Sequence, residues 1–507
     1  MDLRLIHILG YLVGLFFALE PSYIHPDEHF QSLEILAHHF YESKITIPWE
    51  FHPSNAARSF GPLYLAYGPI FYIFGKIGSQ LSPITLLYLV RLQNYIVFTC
   101  IYKLALQFLL RSKLDRAKAT FYISTSYVTW TYQSHSFSNS LETCVLLVTL
   151  SLFQVLVLDA RVPRYNHYRT SSILGMVIAF GVFNRITFIG FIALPVIFTL
   201  QKFYLAHFKS LCICVTTFTI SCCAFIYFDT LMFQSPQWCI APLNNLKYNL
   251  KSSNLALHGV HPRYTHILIN IPQMVGPLLI YFISKKQKMN LAMLSCVSGL
   301  VFLSAFQHQE LRFLVPLMPL FCASINLSNY NSARRTKYIT QIWLMFNVTL
   351  GIIMGSLHQR GVITAIEETT KNNANVGVHL WWKTYSPPTW LYSNRELVVS
   401  TLNVYDGEER LDNLDFGILT NHVVDLKGCD YELFGDAVAG FLQHNASIRV
   451  FIPKSTDKIF KKIDIDNNTT EVHKTWETYL SLDLDHLEFT DVSTVTPGLT
   501  VYDISLK

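Results

Sequence analysis

Charge is scarce in this chain of 507 residues: Asp, Glu, Lys and Arg together make up 14%, against 51% hydrophobic residues. With a mean hydropathy of +0.30, that scarcity excludes a soluble globular protein and indicates a polytopic membrane protein. Acids are rarest early in the chain. Only 12 of the 34 Asp and Glu precede residue 340, and the other 22 follow residue 357. The shift divides the chain into a membrane domain, 1–357, and a soluble C-terminal domain, 358–507. A polybasic tract is also missing. The net charge of +5 comes largely from small Lys/Arg clusters beside apolar runs, so no nucleic-acid partner is expected and the charge reports topology. No Cys-x-x-Cys pair occurs, and eight of ten cysteines lie inside apolar runs, which excludes a disulfide scaffold or zinc ribbon. Only Cys239 and Cys429 fall in polar segments. There is no internal repeat and no low-complexity tract.

What the chain has in abundance is apolar runs. The run at 5–19 follows Arg4 and has no small-x-small cleavage site before Glu20 and Pro21, so it reads as an uncleaved first span starting in the cytosol. Further spans are expected near 84–109, 119–135, 139–158, 172–184, 186–201, 210–228, 266–283, 290–306, 312–328 and 338–357, eleven in all. The positive-inside rule assigns four basic groups to the cytosol: Arg111, Lys113, Arg116 and Lys118; Arg161, Arg164 and Arg169; Lys285, Lys286 and Lys288; Arg334, Arg335 and Lys337. An odd count puts the C-terminal domain in the lumen. Residues 62–78 are apolar but carry Pro62, Gly68, Pro69 and Gly75, which suggests an interfacial or re-entrant segment. The pair 172–184 and 186–201 is short for a bilayer of about 30 Å. Its turn, Asn184-Arg185-Ile186-Thr187, delivers Arg185 to the lumenal side, and a basic residue at that depth points to function.

On this threading three polar segments converge on the lumenal face: 20–61, 229–265, and His308-Gln309-Glu310-Leu311-Arg312. The first contains His25-Pro26-Asp27-Glu28-His29-Phe30-Gln31. Pro26 suits a first helical position, Asp27 and Glu28 its first turn, and Phe30, Leu33, Ile35 and Leu36 an apolar face. Two carboxylates at such a helix start serve either as caps or as acid–base groups. His25 to His29 also spells the His-x-x-Glu-His zinc signature of inverted metallopeptidases. Zinc would need both histidines on one helical face, whereas Pro26 leaves His25 as a cap, and no clear third ligand motif follows His38 and His39. Further on come Trp49 and Phe51, read either as interfacial aromatics or as a platform for a sugar or lipid. Arg58 faces either an anionic phosphate or the headgroups.

Together, His25 to Glu34, Arg185-Ile186-Thr187, and His308-Gln309-Glu310-Leu311-Arg312-Phe313-Leu314 resemble the dolichyl-phosphate-mannose-dependent mannosyltransferases of glycosyltransferase family 22. The segment His258-Gly259-Val260-His261-Pro262-Arg263-Tyr264-Thr265-His266, followed by Asn270-Ile271-Pro272-Gln273, is similar to the branch that adds the fourth mannose to the glycosylphosphatidylinositol (GPI) anchor precursor. The resemblance covers roughly residues 1–357 and implies an all-α polytopic membrane enzyme of GT-C type in the endoplasmic reticulum, with a lumenal active site. It also implies that the lipid-linked donor and the GPI precursor glycolipid are the partners, with no metal and no cofactor.

Carried onto this chain, the resemblance implies that Asp27 is the base, with Glu28 second. It carries Arg185, His308, Glu310 and Arg312 over as binding residues, and with them His25, Arg58, His261, Arg263 and His266 are expected to bind the donor phosphate or the acceptor. A β-linked donor and an α-1,2-linked product on the third mannose require inversion, hence a single displacement with one base. Three alternatives remain at this point: assembly of the dolichol-linked N-glycan precursor, a polytopic transporter, and a membrane zinc peptidase. Past residue 357, short apolar segments such as 416–419 and 448–452 predict a small α+β domain. Its sequons at Asn445, Asn467 and Asn468 agree with a lumenal position.

Overall fold

Backbone in lipid must bond to itself, so a stretch this apolar is restricted to helices or a closed barrel. The computed structural model describes residues 3–77, 82–159, 167–251, 259–284, 287, 289–325, 333–371, 377–405, 408–461, 470–484 and 492–507. Its contacts group the chain into two units. One comprises Met1–Ala18, Pro48–Pro69 and Val90–Gly351; the other comprises Leu19–Ile47, Ile70–Leu89 and Ile352–Lys507. Among the described residues, all regular structure before residue 378 is helical. The basic residues Arg161, Arg164, Lys285, Lys286 and Lys288, His258, and the sequon asparagines Asn467 and Asn468 lie outside the described residues.

Among the described residues, five helices are long and apolar enough to cross a membrane: Pro83–Leu109, Ser138–Leu158, Phe208–Met232, His266–Ile283 and Thr336–Leu357. Shorter apolar helices are Leu5–Ala18, Phe188–Tyr204 and Leu291–Ser304. Phe208–Met232 leaves Val215, Ile220, Tyr227 and Leu231 exposed, the pattern of a helix that faces lipid. Residues 62–77 of the segment 62–78 form part of a regular α-helix, Phe60–Ile77, and residue 78 lies outside the described residues. Pro62 falls in its first turn, where no intrahelical donor is lost. The Asp229 carboxylate accepts the Phe60 and Gly61 N–H groups at 2.9 and 3.4 Å, satisfying the helix start.

The expected span 119–135 is not one helix. Lys113–Ser124 ends at Thr125, whose hydroxyl donates to the Phe121 carbonyl at 2.7 Å, and a four-residue helix Tyr127–Trp130 follows. The Tyr127 N–H, freed by the break, donates to Asn347 Oδ1 at 2.7 Å, and Trp343 Nε1 donates to Thr125 Oγ1 at 2.9 Å. From Ala333–Ile352, Asn347 thus takes up a freed backbone N–H while Trp343 braces the Thr125 hydroxyl at the break. The span 312–328 is likewise broken, into Leu311–Leu314 and Leu317–Ser324, on either side of Pro316. Phe188–Thr199 instead continues through Pro195. The Phe191 carbonyl, which Pro195 cannot serve, accepts the Ser295 hydroxyl at 2.9 Å from Leu291–Ser304. Gly190 and Gly299 make that approach possible, because a Cβ on either would lie within 2.3 Å of Phe302 or Phe191.

Among the described residues of the second unit, six strands form one sheet: β1 (Val378–Trp381), β2 (Val398–Thr401), β5 (His422–Asp425), β6 (Ile448–Pro453), β7 (Thr470–Thr478) and β8 (Leu499–Leu506). Two more, β3 (Asn403–Tyr405) and β4 (Glu408–Arg410), form a separate antiparallel pair. The sheet runs β2-β5-β1-β6-β8-β7; its first four strands are parallel, β8 adds antiparallel to β6, and β7 adds antiparallel to β8. Parallel neighbours need crossovers, and helix Tyr431–Gln443 carries the chain from β5 over β1 to β6. Its Phe434 stacks on Trp382 at 4.4 Å, and Val438 and Phe441 join the same core. The apolar segment 448–452 is a strand, but 416–419 is a loop whose Phe416 packs edge-on against Phe441 at 4.8 Å. Asn445 ends this helical region at φ 61°, exposed, where an asparagine side chain is tolerated.

Candidate active site

The acidic helix begins as its sequence predicts. His25 stays outside it as a cap: its Nδ1 accepts the Asp27 N–H at 3.2 Å, and its carbonyl accepts the Glu28 N–H at 3.2 Å. The Pro26 carbonyl takes the N–H groups of both His29 and Phe30, opening a π-helical turn, His29–Leu33, that runs into Glu34–Tyr41. The two acids just before this turn differ in environment. The Asp27 side chain is 20% exposed and lies 3.5 Å from His25, whereas Glu28 is wholly buried, 3.8 Å from His29 Nε2.

That helix is held by chain from beyond residue 357. Trp390 Nε1 donates to His29 Nδ1 at 3.1 Å, Tyr23 donates to the Ser386 carbonyl at 2.9 Å, and Tyr385 packs edge-on against Tyr23 at 5.2 Å. With Nδ1 of His29 engaged by Trp390 and Nδ1 of His25 capping, the zinc reading loses one nitrogen of each histidine. Among the described residues no three His, Cys, Asp or Glu side chains are grouped as a metal site. Glu34 is fully buried and accepts from the Thr389 hydroxyl at 3.2 Å and the Trp390 N–H at 3.4 Å. Burial outweighs these bonds and raises its carboxyl to about 8.

The folded protein therefore keeps a proton on Glu34 that the unfolded chain releases above about pH 4.5. Between about pH 4.5 and 8 this group should cost about 1.4 kcal/mol of stability per pH unit, levelling off above 8. Glu34→Gln, which keeps the acceptor and cannot ionise, should match the native protein in thermal unfolding near pH 4.5 and exceed it at pH 8. Parallel stability curves for the two proteins would refute this.

In the other unit, Arg185 sits in the turn between His167–Asn184 and Phe188–Thr199. Its guanidinium donates to Ser138 Oγ at 2.9 Å and lies 3.3 Å from the buried Glu142 carboxylate, which also accepts the Thr187 hydroxyl at 2.8 Å. It also covers Phe313 at 5.4 Å, and Arg312 lies over the same ring at 5.3 Å. Arg312 forks onto Glu310, which His308 Nε2 also meets at 2.7 Å. Burial alone would lower the His308 imidazole, but the Glu310 bond and charge, with the Gly259 carbonyl, raise it above its ordinary value.

The segment around His261 is tied to the same place. The His261 N–H donates to the Gln307 carbonyl at 2.8 Å, and the His261 and His308 rings lie 6.2 Å apart. Gln309 Oε1 accepts the His266 N–H at 2.8 Å, and Gln309 Nε2 donates to the Arg263 carbonyl at 3.2 Å. His266 is buried and bonded to Asn270; the Arg263 side chain is exposed. Arg58 forks onto Glu50 with both contacts at 2.9 Å. Arg185, His261, His266, His308, Glu310 and Arg312 are thus brought together. Arg58 is engaged within its own loop, and His25, Asp27 and Glu28 belong to the other unit. Glu142 and Glu34 escaped the sequence reading. An acid inside the apolar run 139–158 was the available signal for Glu142.

An apolar groove of about 560 Å³ runs along the helix bearing Glu142, lined by Leu141, Cys144, Val145 and Val148, with Val177 and Phe180 opposite. The spacing 141, 144, 145, 148 is one face of that helix, starting in the turn that holds Arg185.

The described residues combine apolar helices with buried charge, and the fold is of GT-C type. Two solved structures share it over 99% of this chain and 97% of theirs. They are ArnT from Cupriavidus metallidurans bound to undecaprenyl phosphate, with a TM-score of 0.51 at 10% identity, and ArnT in the apo state, with 0.56 at 11%. A family profile matches residues 5–394, and the chain belongs to the Alg9-like mannosyltransferase family. Full-length relatives are the GPI mannosyltransferase 4 of Saccharomyces cerevisiae, 46% identical over 98% of both chains, and that of Eremothecium gossypii, 41% identical over 100% of both. The relative of the same name from Candida glabrata is 42% identical, again over 100% of both chains.

Proposed function

We propose that the chain is an inverting α-1,2-mannosyltransferase of the endoplasmic reticulum membrane. It moves mannose from dolichyl-phosphate-mannose to the third mannose of the GPI anchor precursor. The observation that carries this reading is 46% identity, end to end, with a relative named GPI mannosyltransferase 4. The eleven-span threading, with the sites and C-terminal domain in the lumen, is part of the same proposal.

In this reading Asp27 takes the proton from the acceptor hydroxyl as that oxygen attacks the mannosyl C1 from the face opposite the phosphate. Its partial exposure, against the complete burial of Glu28, supports Asp27 for this role. The dolichyl phosphate departs as an anion, so no acid catalyst is required. Arg185, Arg312 and His308 offer the positive field that such a leaving group needs, with Glu142 and Glu310 holding them until it arrives. The apolar groove beginning beside Arg185 has the character of a seat for the donor's polyisoprenyl chain.

Purified protein in lipid nanodiscs should transfer mannose from dolichyl-phosphate-mannose with inversion, in the presence of a chelator, and should not use GDP-mannose. Transfer from GDP-mannose, or retention of the β configuration, would overturn the mechanism.

A further inference from the structure

A polar cleft of about 230 Å³ lies between the loop around residues 49–57 and the helix Ala241–Asn249. Its walls include Trp49, Asn55, Asn244, Lys247, Tyr248 and Lys251. The loop is held rigidly. Arg58 forks onto Glu50, the Glu50 carbonyl accepts the N–H groups of Ala57 and Arg58, and Asn55 Nδ2 closes onto the Trp49 carbonyl at 3.0 Å. Asn244 Nδ2 ties the helix to the loop through the Ala56 carbonyl at 3.1 Å. The outcome of this bracing is an aromatic wall: Trp49 and Tyr248 stack with ring centroids 3.9 Å apart.

Lys247 stands in the last turn of the helix and Lys251 four residues on; both are exposed. A helix C-terminus by itself favours basic residues. It does not account for a braced aromatic wall and two amides meeting the lysines in one cleft. Each of the Asn55 and Asn244 amides places one N–H on a backbone carbonyl, so its second N–H and its acceptor oxygen are what it offers a ligand, a donor–acceptor pair suited to sugar hydroxyls. The nearest carboxylate of the loop, Glu50, is neutralised by Arg58. Aromatic face, two amides and two ammonium groups together match one chemistry, an anionic phosphorylated saccharide.

We propose that this cleft is a binding subsite for a phosphate-bearing portion of the acceptor glycan. The proposal rests on the acceptor being a GPI precursor. Two sources could supply the phosphate: the glycan itself or the headgroups of the surrounding lipid.

The test uses the full-length protein in nanodiscs, titrated calorimetrically with a soluble trimannosyl glycosylinositol phosphate and with the same glycan lacking phosphate. In phosphatidylcholine nanodiscs the native protein should bind the phosphorylated glycan about tenfold more tightly. Lys247→Gln/Lys251→Gln should erase that preference while leaving the affinity for the unphosphorylated glycan unchanged. Equal preference in native and variant protein overturns the proposal. So does a lysine effect that appears only when phosphatidylinositol is added to the nanodisc and is indifferent to phosphate on the glycan, since that assigns the cleft to headgroups. The readout is binding, so it is separate from turnover. If the glycan binds as described but receives no mannose, the failure falls on the proposed reaction and not on the cleft.

Discussion

Asp27→Asn should reduce mannose transfer by about three orders of magnitude while leaving the protein folded in the membrane. A positioned general base contributes about 10²- to 10⁴-fold, and no other carboxylate on the acidic helix has the same access. Glu28 and Glu34 are both fully buried, Glu34 against Thr389 and Trp390. The Asp27 side chain, by contrast, is partly exposed, 3.5 Å from His25, and its backbone is fixed by its N–H on His25 Nδ1 and by the turn started by Pro26. Asparagine preserves all of that, so a loss of rate at unchanged thermal stability isolates proton removal. Glu28→Gln should do the opposite, altering stability more than the rate per folded molecule. The pair is checked by measuring transfer per unit of folded protein and the unfolding temperature in the same preparations. Full transfer by Asp27→Asn would remove it from the role.

The largest effect on stability is expected at Arg185. Arg185→Gln leaves the Glu142 carboxylate buried with only the Thr187 hydroxyl to hold it, and breaking a buried pair from one side costs about 3 to 5 kcal/mol. The variant should therefore unfold at a clearly lower temperature and accumulate poorly. The double variant Arg185→Gln/Glu142→Gln, which leaves no lone charge, should recover most of that stability. Recovery of folding without recovery of transfer is the outcome expected if the guanidinium also serves the phosphate. If Arg185→Gln unfolds at the native temperature, the ion pair contributes nothing and the argument from burial fails.

Much of the membrane architecture is legible in the sequence because it is a matter of length and hydropathy. The runs 84–109, 139–158 and 290–306 appear as Pro83–Leu109, Ser138–Asp159 and Leu291–Ser304. Hydropathy does not register the break at Thr125. The Asn347 and Trp343 side chains that make the break affordable lie about 220 residues away, 220 for the Tyr127–Asn347 bond and 218 for Trp343–Thr125. At the candidate site the cap on Asp27 was readable from Pro26 and His25 alone, because capping is local. The environment of the same helix was not. Trp390 reaches His29 across 361 positions, and a boundary drawn at 357 cannot express that 19–47 packs in one unit with 352–507. Arg185 was visible as a charge in an apolar setting; its partner Glu142 was visible by the same criterion, but nothing in the linear pattern joined the two.

The proposed activity is defined by its acceptor. Nanodisc-embedded protein given dolichyl-phosphate-mannose together with equal amounts of trimannosyl GPI precursor and dolichol-linked N-glycan precursor should mannosylate the GPI precursor alone. The new residue should be α-1,2-linked to the third mannose and removable by an α-1,2-specific mannosidase. Mannose appearing on the N-glycan precursor, or at any other position of the GPI glycan, would contradict it.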